Sequence, residues 1–454
     1  MSRINRRTFI KRSAGLTAVT VGFPYIVSSS VLGKDGATAP SNRIVMGCIG
    51  TGGQGTFNMQ AFLNNPDVQV VAVCDVNDQS GNYYGNATAG LIPAQKIVED
   101  FYASAKSSGK YKGCAAYKDF RELLARDDIN AVTVCTPDHW HALITIAAAR
   151  AGKDIYCEKP LANSVAEGRA VVDAVKRYAR VLQTGSHERS NDTARFACEL
   201  VRNGRIGKLH TIRINLPVDG DHHKWIMNNN LPRVEMPVPE GFDYNMWLGP
   251  ADVLPYTDNC CIFWWRFILR YGGGEMTDRG AHVIDLAQLG NNTDDTGPIE
   301  LNTKGTQLTG GRYDAFMKFD FDCTYANGVK MIGQSSGKRG LKFEGTDGWV
   351  FINIHGGALG ADPPSLLREK IRPDEIQIGR SPGHHQNFID AVKSRGTTIA
   401  SAEVGHRTGT ICHLLNIAMQ TSGKIKWDPV AEKITNDPLA QSMLTPPIRP
   451  PWRL

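Results

Sequence analysis

A short apolar run that stops on a glycine turn limits this chain most. Ile44 to Ile49 has the composition of a buried strand, and Gly50, Thr51, Gly52, Gly53, Gln54 and Gly55 follow it as G-x-G-x-x-G. A turn this tight against a pyrophosphate leaves little room for a Cβ, and the N–H groups that open the next helix then face the phosphates. A second apolar run, Val68 to Cys74, ends at Asp75. That is 20 residues after Gly55, the spacing at which a carboxylate takes the ribose hydroxyls. A glycine turn that binds nothing is the competing reading. Strand, glycines, helix and acid in this order favour a dinucleotide site. Asp75 would repel a 2′-phosphate, so the expected cofactor is NAD rather than NADP.

Upstream, Arg6-Arg7-Thr8-Phe9-Ile10-Lys11 precedes a moderately apolar run from Ala14 to Leu32. Twin arginines before such a run match a Tat export signal. Residues 1–39 are therefore expected to engage the Tat machinery and direct the folded protein to the periplasm. Gly15, Gly22 and Pro24 make the run a poor permanent membrane span. Removing this segment also removes most of the charge. The whole chain has 51 Lys+Arg against 45 Asp+Glu. Residues 1–39 hold six basic side chains and one acid, which leaves 45 against 44. A nearly neutral protein gives no electrostatic case for nucleic acid. The ten cysteines contain no C-x-x-C pair, and Cys48, Cys74 and Cys135 sit in or at the end of β runs as small hydrophobes. Adjacent Cys260 and Cys261 are better explained by packing than by redox chemistry.

Strands and helices alternate from Ile44 to about Ala179, which predicts an α/β fold with a doubly wound parallel (Rossmann) sheet. The interval from Gly81 to Lys112 reads as a polar insertion with a helix over Pro93 to Ala105. Ala131 to Cys135 is a strand that stops at Thr136-Pro137-Asp138-His139-Trp140-His141, and its carboxyl end should face the cofactor crevice. Asp154 to Cys157 is another, ending in Glu158-Lys159-Pro160. Residues 40–180 are assigned to this NAD-binding domain and residues 181–454 to a second, α+β domain. Period-two runs dominate the second. Met317 to Tyr325 alternates strictly, Asn327-Gly328 is a hairpin turn, and Leu341 to Gly345 and Trp349 to Asn353 extend an open, mostly antiparallel sheet. One face of this sheet should pack on helices. The Pro-rich end (Pro446, Pro447, Pro450, Pro451) reads as an extended arm that reaches another subunit, and the C-terminal helices are candidates to pack back on the first domain.

The second domain carries its own candidate site, Gly272 to Asp285. On a helix Asp278, His282 and Asp285 are spaced i, i+4, i+7 and share one face. A histidine oriented by a carboxylate is a suitable proton acceptor near neutral pH. A divalent metal on these three residues is the rival reading, but one face of one helix rarely completes a shell, so no metal is expected. His139 and His141 alone do not make a metal site either. Phe242 to Ala251 and Ile262 to Phe267 are aromatic-rich, which suits either a sugar cleft or plain packing at the domain junction.

Taken together, the glycine turn, Asp75, Thr136-Pro137 with His141, and Glu158-Lys159-Pro160 resemble the Gfo/Idh/MocA (glucose–fructose oxidoreductase and inositol dehydrogenase) family. The resemblance covers nearly everything after residue 39. It implies that Lys159 lies beside the nicotinamide and the reacting hydroxyl, where an ammonium stabilises a developing alkoxide. It also implies that His282 acts as acid/base with Asp278 beside it and that His141 packs around the nicotinamide, which leaves Asp285 to cap or brace its helix. The expected activity is hydride transfer between a secondary hydroxyl of a sugar or glycoside and tightly held NAD, in a homo-oligomer. The alternative is an NAD-dependent glycosidase that oxidises transiently and eliminates the aglycone. A binding module that has lost the chemistry fits least, because Lys159, Asp278 and His282 are all present.

Overall fold

Apolar runs alternating with helices build a six-stranded parallel sheet. Its strands are β1 (Ile44–Ile49), β2 (Val68–Cys74), β3 (Ala115–Tyr117), β4 (Ala131–Val134), β5 (Asp154–Cys157) and β6 (Leu182–Thr184). They lie in the order β3-β2-β1-β4-β5-β6, with the topological switch between β1 and β4. The computed structural model describes residues 42–83, 87–106, 108–257, 259–355 and 357–454, so the twin-arginine segment lies outside the described residues. A sheet covered on both faces needs strands that are apolar on both, and β1, β2, β4 and β5 are almost wholly buried. Met46, Cys48, Val70 and Val73 pack on one face with Met59, Phe62 and Val98. Ile49, Ala72, Val132 and Ile155 pack on the other with Leu123, Trp140, Ile144 and Val171.

Three intervals differ in detail from the sequence reading. The polar insertion contains a β-hairpin, Ser80–Tyr83 with Ala87–Ala89, before the helix Leu91–Ser104. The parallel sheet runs on past residue 180, because β6 pairs with β5. The helix His384–Ser394 packs back on the first sheet, with Phe388 and Ile389 in the same cluster as Met46 and Tyr156.

The second sheet has nine strands. In chain order they are β7 (Leu209–Asn215), β8 (Pro298–Gln307), β9 (Phe316–Tyr325), β10 (Lys330–Gln334), β11 (Gly340–Gly345), β12 (Trp349–Ile352), β13 (Leu359–Asp362), β14 (Lys424–Asp428) and β15 (Lys433–Ile434). Their order is β13-β12-β11-β7-β10-β9-β8-β14-β15, and only the β7–β10 pair is parallel. Alternation places Phe319, Phe321 and Cys323 inside and leaves Lys318, Asp320 and Asp322 exposed. The buried face packs on the helices Asp192–Arg202, Arg279–Asn291 and Ala402–Gln420. The Pro-rich end folds onto its own chain instead of leaving it. Arg449 donates to the Gly249 and Asn245 carbonyls, and the Trp452 ring meets Trp140 edge to face at 4.8 Å. A large ring with an apolar seat this close by has no reason to stay in water.

Candidate active site

The glycine turn is as tight as its residues require. Gly50 has φ +79°, and a Cβ there would lie 2.6 Å from the backbone of Cys135 and Thr136. At Gly55 a Cβ would fall 1.8 Å from the Gly50 carbonyl oxygen. Gly55→Ala must therefore move backbone, and a loss of about 1–3 kcal/mol in denaturant unfolding is expected, with nucleotide affinity lost as well. An unchanged unfolding midpoint would contradict this.

The helix Gly53–Leu63 starts at Gly52 with no side-chain cap, so its first N–H groups are left for a ligand. Asp75 sits beside them. Its Oδ2 accepts from the Thr51 N–H at 2.7 Å and the Thr51 hydroxyl at 3.3 Å, and its Oδ1 accepts from Asn77 N–H at 3.0 Å. Burial raises the Asp75 pKa, and these hydrogen bonds oppose the rise. Across the turn the Thr136 hydroxyl is buried without a partner among the described residues. An uncapped helix start, a carboxylate with spare lone pairs and an orphaned hydroxyl are the donors and acceptors a dinucleotide would engage, so these residues fit NAD.

Thr136 and Pro137 begin the helix Asp138–Arg150, which places His141 against the strand ends. His141 Nδ1 lies 2.6 Å from the Pro160 carbonyl and Nε2 lies 2.8 Å from the Thr136 carbonyl. Both strand termini are thus pinned to one ring. Glu158 faces the glycine helix, accepting from Asn58 at 2.8 Å. His139 Nε2 and Trp140 Nε1 each lie 2.9 Å from the Trp247 carbonyl, so this helix also holds the aromatic segment in place. Trp247, Trp265 and Phe267 are buried in that junction cluster, and Phe242 and Phe263 pack against it; of these, all but Phe267 also line the cavity, as does Arg266. Both readings of the aromatic loops therefore apply, largely to the same residues. Cys260 and Cys261 are reduced and buried, with sulfurs 3.5 Å apart.

Lys159 reaches from the first domain to the second. Its Nζ donates to Asp278 Oδ1 at 2.6 Å and to the Asp278 carbonyl at 3.1 Å. Arg266 Nε lies 3.6 Å from the same carboxylate oxygen. Burial alone would lower the Lys159 pKa, but the charges of Asp278 and Glu158 outweigh it and the group stays an ammonium. Burial would raise Asp278, yet Lys159 and Arg266 hold it well below the usual carboxylate range.

The expected carboxylate–histidine contact is not made. Asp278 is the N-cap of the helix Arg279–Asn291, with φ −77° and ψ −83°, and its side chain turns to Lys159. His282 lies inside the helix, buried, and its Nδ1 has no hydrogen-bond partner among the described residues. Burial first, then the charges of Lys159, His187 and His355, push its pKa well below the ordinary value. Asp285 does brace the helix: Arg189 donates to it at 2.7 Å and Thr408 at 3.0 Å. Only His282 and Asp285 lie within the helix, and Asp278 and Asp285 turn to different partners, Lys159 and Arg189.

One cavity of about 1210 Å³ contains the whole arrangement, from Gly50 and Asp75 through Thr136 and Lys159 to Asp278 and His282. It also contains groups that sequence reasoning missed, chiefly His187, Glu188, Arg266 and His355. His187 and Glu188 lie three and four residues past the carboxyl end of β6, the edge where open α/β sheets bind ligands, and that position was a usable signal. Arg279 is occupied by an ion pair with Glu275.

Comparison with known proteins matches residues 44–186 to the model for "Oxidoreductase family, NAD-binding Rossmann fold" and residues 191–454 to that for "Oxidoreductase family, C-terminal alpha/beta domain". A levoglucosan dehydrogenase of Pseudarthrobacter phenanthrenivorans is 33% identical over 203 residues, 44% of this chain and 43% of that protein. An alpha-N-acetylgalactosaminidase of Shewanella oneidensis is 27% identical over 220 residues, 46% of this chain and 45% of that one. These alignments span less than half of either relative's length. Among solved structures, aldose-aldose oxidoreductase from Caulobacter crescentus superposes with TM-score 0.59 at 19% identity, covering 85% of this chain and 99% of that one. This likeness is one of fold.

Proposed function

The chain belongs to the Gfo/Idh/MocA oxidoreductase family, and from that premise we propose that it oxidises a secondary hydroxyl of a sugar or glycoside. The observation that carries this reading is the single cavity shared by the glycine turn, Asp75, Lys159 and His282. NAD, when bound, supplies the hydride acceptor. Gly50 to Gly55 and Asp75 would hold its pyrophosphate and ribose. Lys159, an ammonium fixed by Asp278, steadies the substrate oxygen as negative charge develops there. His282, neutral and with a free ring nitrogen, takes the hydroxyl proton. Asp278 acts on the lysine, not on the histidine. The aromatic wall of Phe242 and Phe263 suits the apolar face of a pyranose.

The test is direct. The purified protein is denatured, the released nucleotide is identified by mass spectrometry, and fresh protein is incubated with a panel of glycosides. A product two mass units lighter than its substrate is expected, that being the loss of two hydrogens. Its absence with every glycoside, from protein that carries NAD, would sink the dehydrogenase reading. Release of free sugar and aglycone would select the second reading, a glycosidase that oxidises transiently. The match to a curated alpha-N-acetylgalactosaminidase is the observation in its favour.

Asp75→Ala tests the nucleotide side. Hydrogen bonds to a charged group are worth about 1.5–3 kcal/mol, so NAD affinity should fall roughly ten- to a hundred-fold while NADP affinity falls less. Equal losses for both nucleotides would mean that Asp75 does not discriminate between them. The twin arginines support export through the Tat pathway to the periplasm. Arg6→Lys with Arg7→Lys should retain the protein in the cytoplasm, read by cell fractionation. The open second sheet supports pairing of two copies, which light scattering on the purified protein reads directly. Among the described residues no helix is long and apolar enough to cross a membrane.

A further inference from the structure

We propose that His187, Glu188 and His355 form a binding site for a divalent transition-metal ion, with Zn²⁺ the leading candidate, that keeps one coordination position open to the cavity. His187 and Glu188 start the short turn after β6, and His355 follows β12. The fold brings them together from 168 residues apart in the chain. Their ligand atoms all lie within 4.8 Å of one another. Glu188 Oε1 is the hub, 3.0 Å from His355 Nδ1 and 3.6 Å from His187 Nε2. Ligands held about 2.0–2.1 Å from a tetrahedral ion stand about 3.3 Å from each other, between these two values.

The ring positions agree. Ring centroids are 5.5 Å apart for His187 and His355, 4.5 Å for His187 and His282, and 5.1 Å for His282 and His355. Imidazoles grouped about one tetrahedral ion have centroids about 5 Å apart. His282 supplies an independent sign. It is only 4% exposed, packs on both other rings, and leaves Nδ1 unpartnered. A buried ring nitrogen with no partner, on a ring packed against both imidazoles, is free to accept from an oxygen that enters this part of the cavity.

Two imidazoles and one carboxylate are three protein ligands. Such sets leave a fourth position for water or substrate, unlike closed structural sites. Imidazole with carboxylate also favours Zn²⁺ and its transition-metal neighbours over Mg²⁺ or Ca²⁺. A second cluster shows the contrast. His222, His223 and Glu275 are equally close, but the Arg279 guanidinium already pairs with Glu275, and Gly220 N–H donates to His223 Nδ1. There a fixed cation takes the place of an ion. At His187, Glu188 and His355 no lysine or arginine ion pair is present among the described residues. The open position faces the cavity that Lys159 and Asp278 also line, so it would take an oxygen of the bound sugar. That last step rests on the sugar-oxidation reading; ion binding does not.

The test uses the full-length protein, stripped with a chelator and reloaded with Zn²⁺ or Co²⁺ alone. Metal is measured by mass spectrometry after dialysis, and Co²⁺ geometry by its visible absorption. About one ion per chain, with the strong bands of four-coordinate Co²⁺, is expected. Glu188→Gln and His355→Ala should each weaken binding by at least about ten- to a hundred-fold, with NAD binding retained as the sign of a folded protein. His355 is at the cavity rim, so its variant remains informative if Glu188→Gln does not fold. Folded, NAD-binding protein that holds no ion would overturn the proposal. So would equal metal content in wild type and His355→Ala. Metal bound as expected without sugar oxidation would leave this site standing and remove only the reaction reading.

Discussion

Lys159→Ala is expected to lower kcat for the oxidised glycoside by about a hundred- to a thousand-fold, while NAD binding changes little. That range is what one preorganised donor to a developing oxyanion is worth. The physical reason lies in how the ammonium is held. Asp278 fixes Nζ through both its carboxylate and its carbonyl, so no reorientation is needed when charge appears on the substrate oxygen. Lys159→Met separates charge from packing, because it keeps the apolar stem and loses only the ammonium. It should be as impaired as alanine. Lys159→Arg should not rescue, since a planar fork cannot replace a point charge in that socket. Undiminished turnover in Lys159→Met would remove the lysine from the mechanism.

The first half of the site was legible in the sequence because its chemistry is local. A strand, three glycines and an acid at fixed spacing can be read without knowing what the rest of the chain does, and Gly50, Gly55 and Asp75 meet as that spacing requires. The second half was legible only in part. Asp278 and His282 are four residues apart, which reads as one helical face, but the helix begins one residue after Asp278 and the carboxylate is free to turn toward Lys159, 119 residues away. Helical periodicity has no force at a cap, where φ and ψ leave the helical range. His187 and His355 could not be paired from sequence at all, since only the tertiary fold brings the chain after β6 near the chain after β12. The C-terminal arm was legible only in part, for a different reason. Proline content predicts an extended chain but not its destination, and Trp452 found an apolar seat on Trp140.

Asp285→Ala should be the most destabilising of the single changes considered, by about 3–5 kcal/mol, because it leaves a buried guanidinium short of its partner. Arg189 and Asp285 are both almost fully buried. The pair ties three segments: the turn after β6, the helix Arg279–Asn291, and, through Thr408, the helix Ala402–Gln420. Asp294 also pairs with Arg189, at 2.7 Å, and places the loss toward the lower end of that range. The change should reach the site as well. Arg189 lies two residues past His187, and Asp285 lies one turn past His282, so slackening the pair loosens both rings at once. Gly50 to Asp75 are held by separate contacts, so NAD affinity should survive where the protein stays folded. The double variant Arg189→Met with Asp285→Leu removes both charges and should recover much of the stability, since isosteric apolar replacement of a buried pair is often neutral. It should not recover turnover if the pair also sets the position of His282. Urea unfolding of wild type, single and double variants, beside their NAD affinities and turnover, separates the two roles. A single variant as stable as wild type would show that this ion pair does not hold the three segments together.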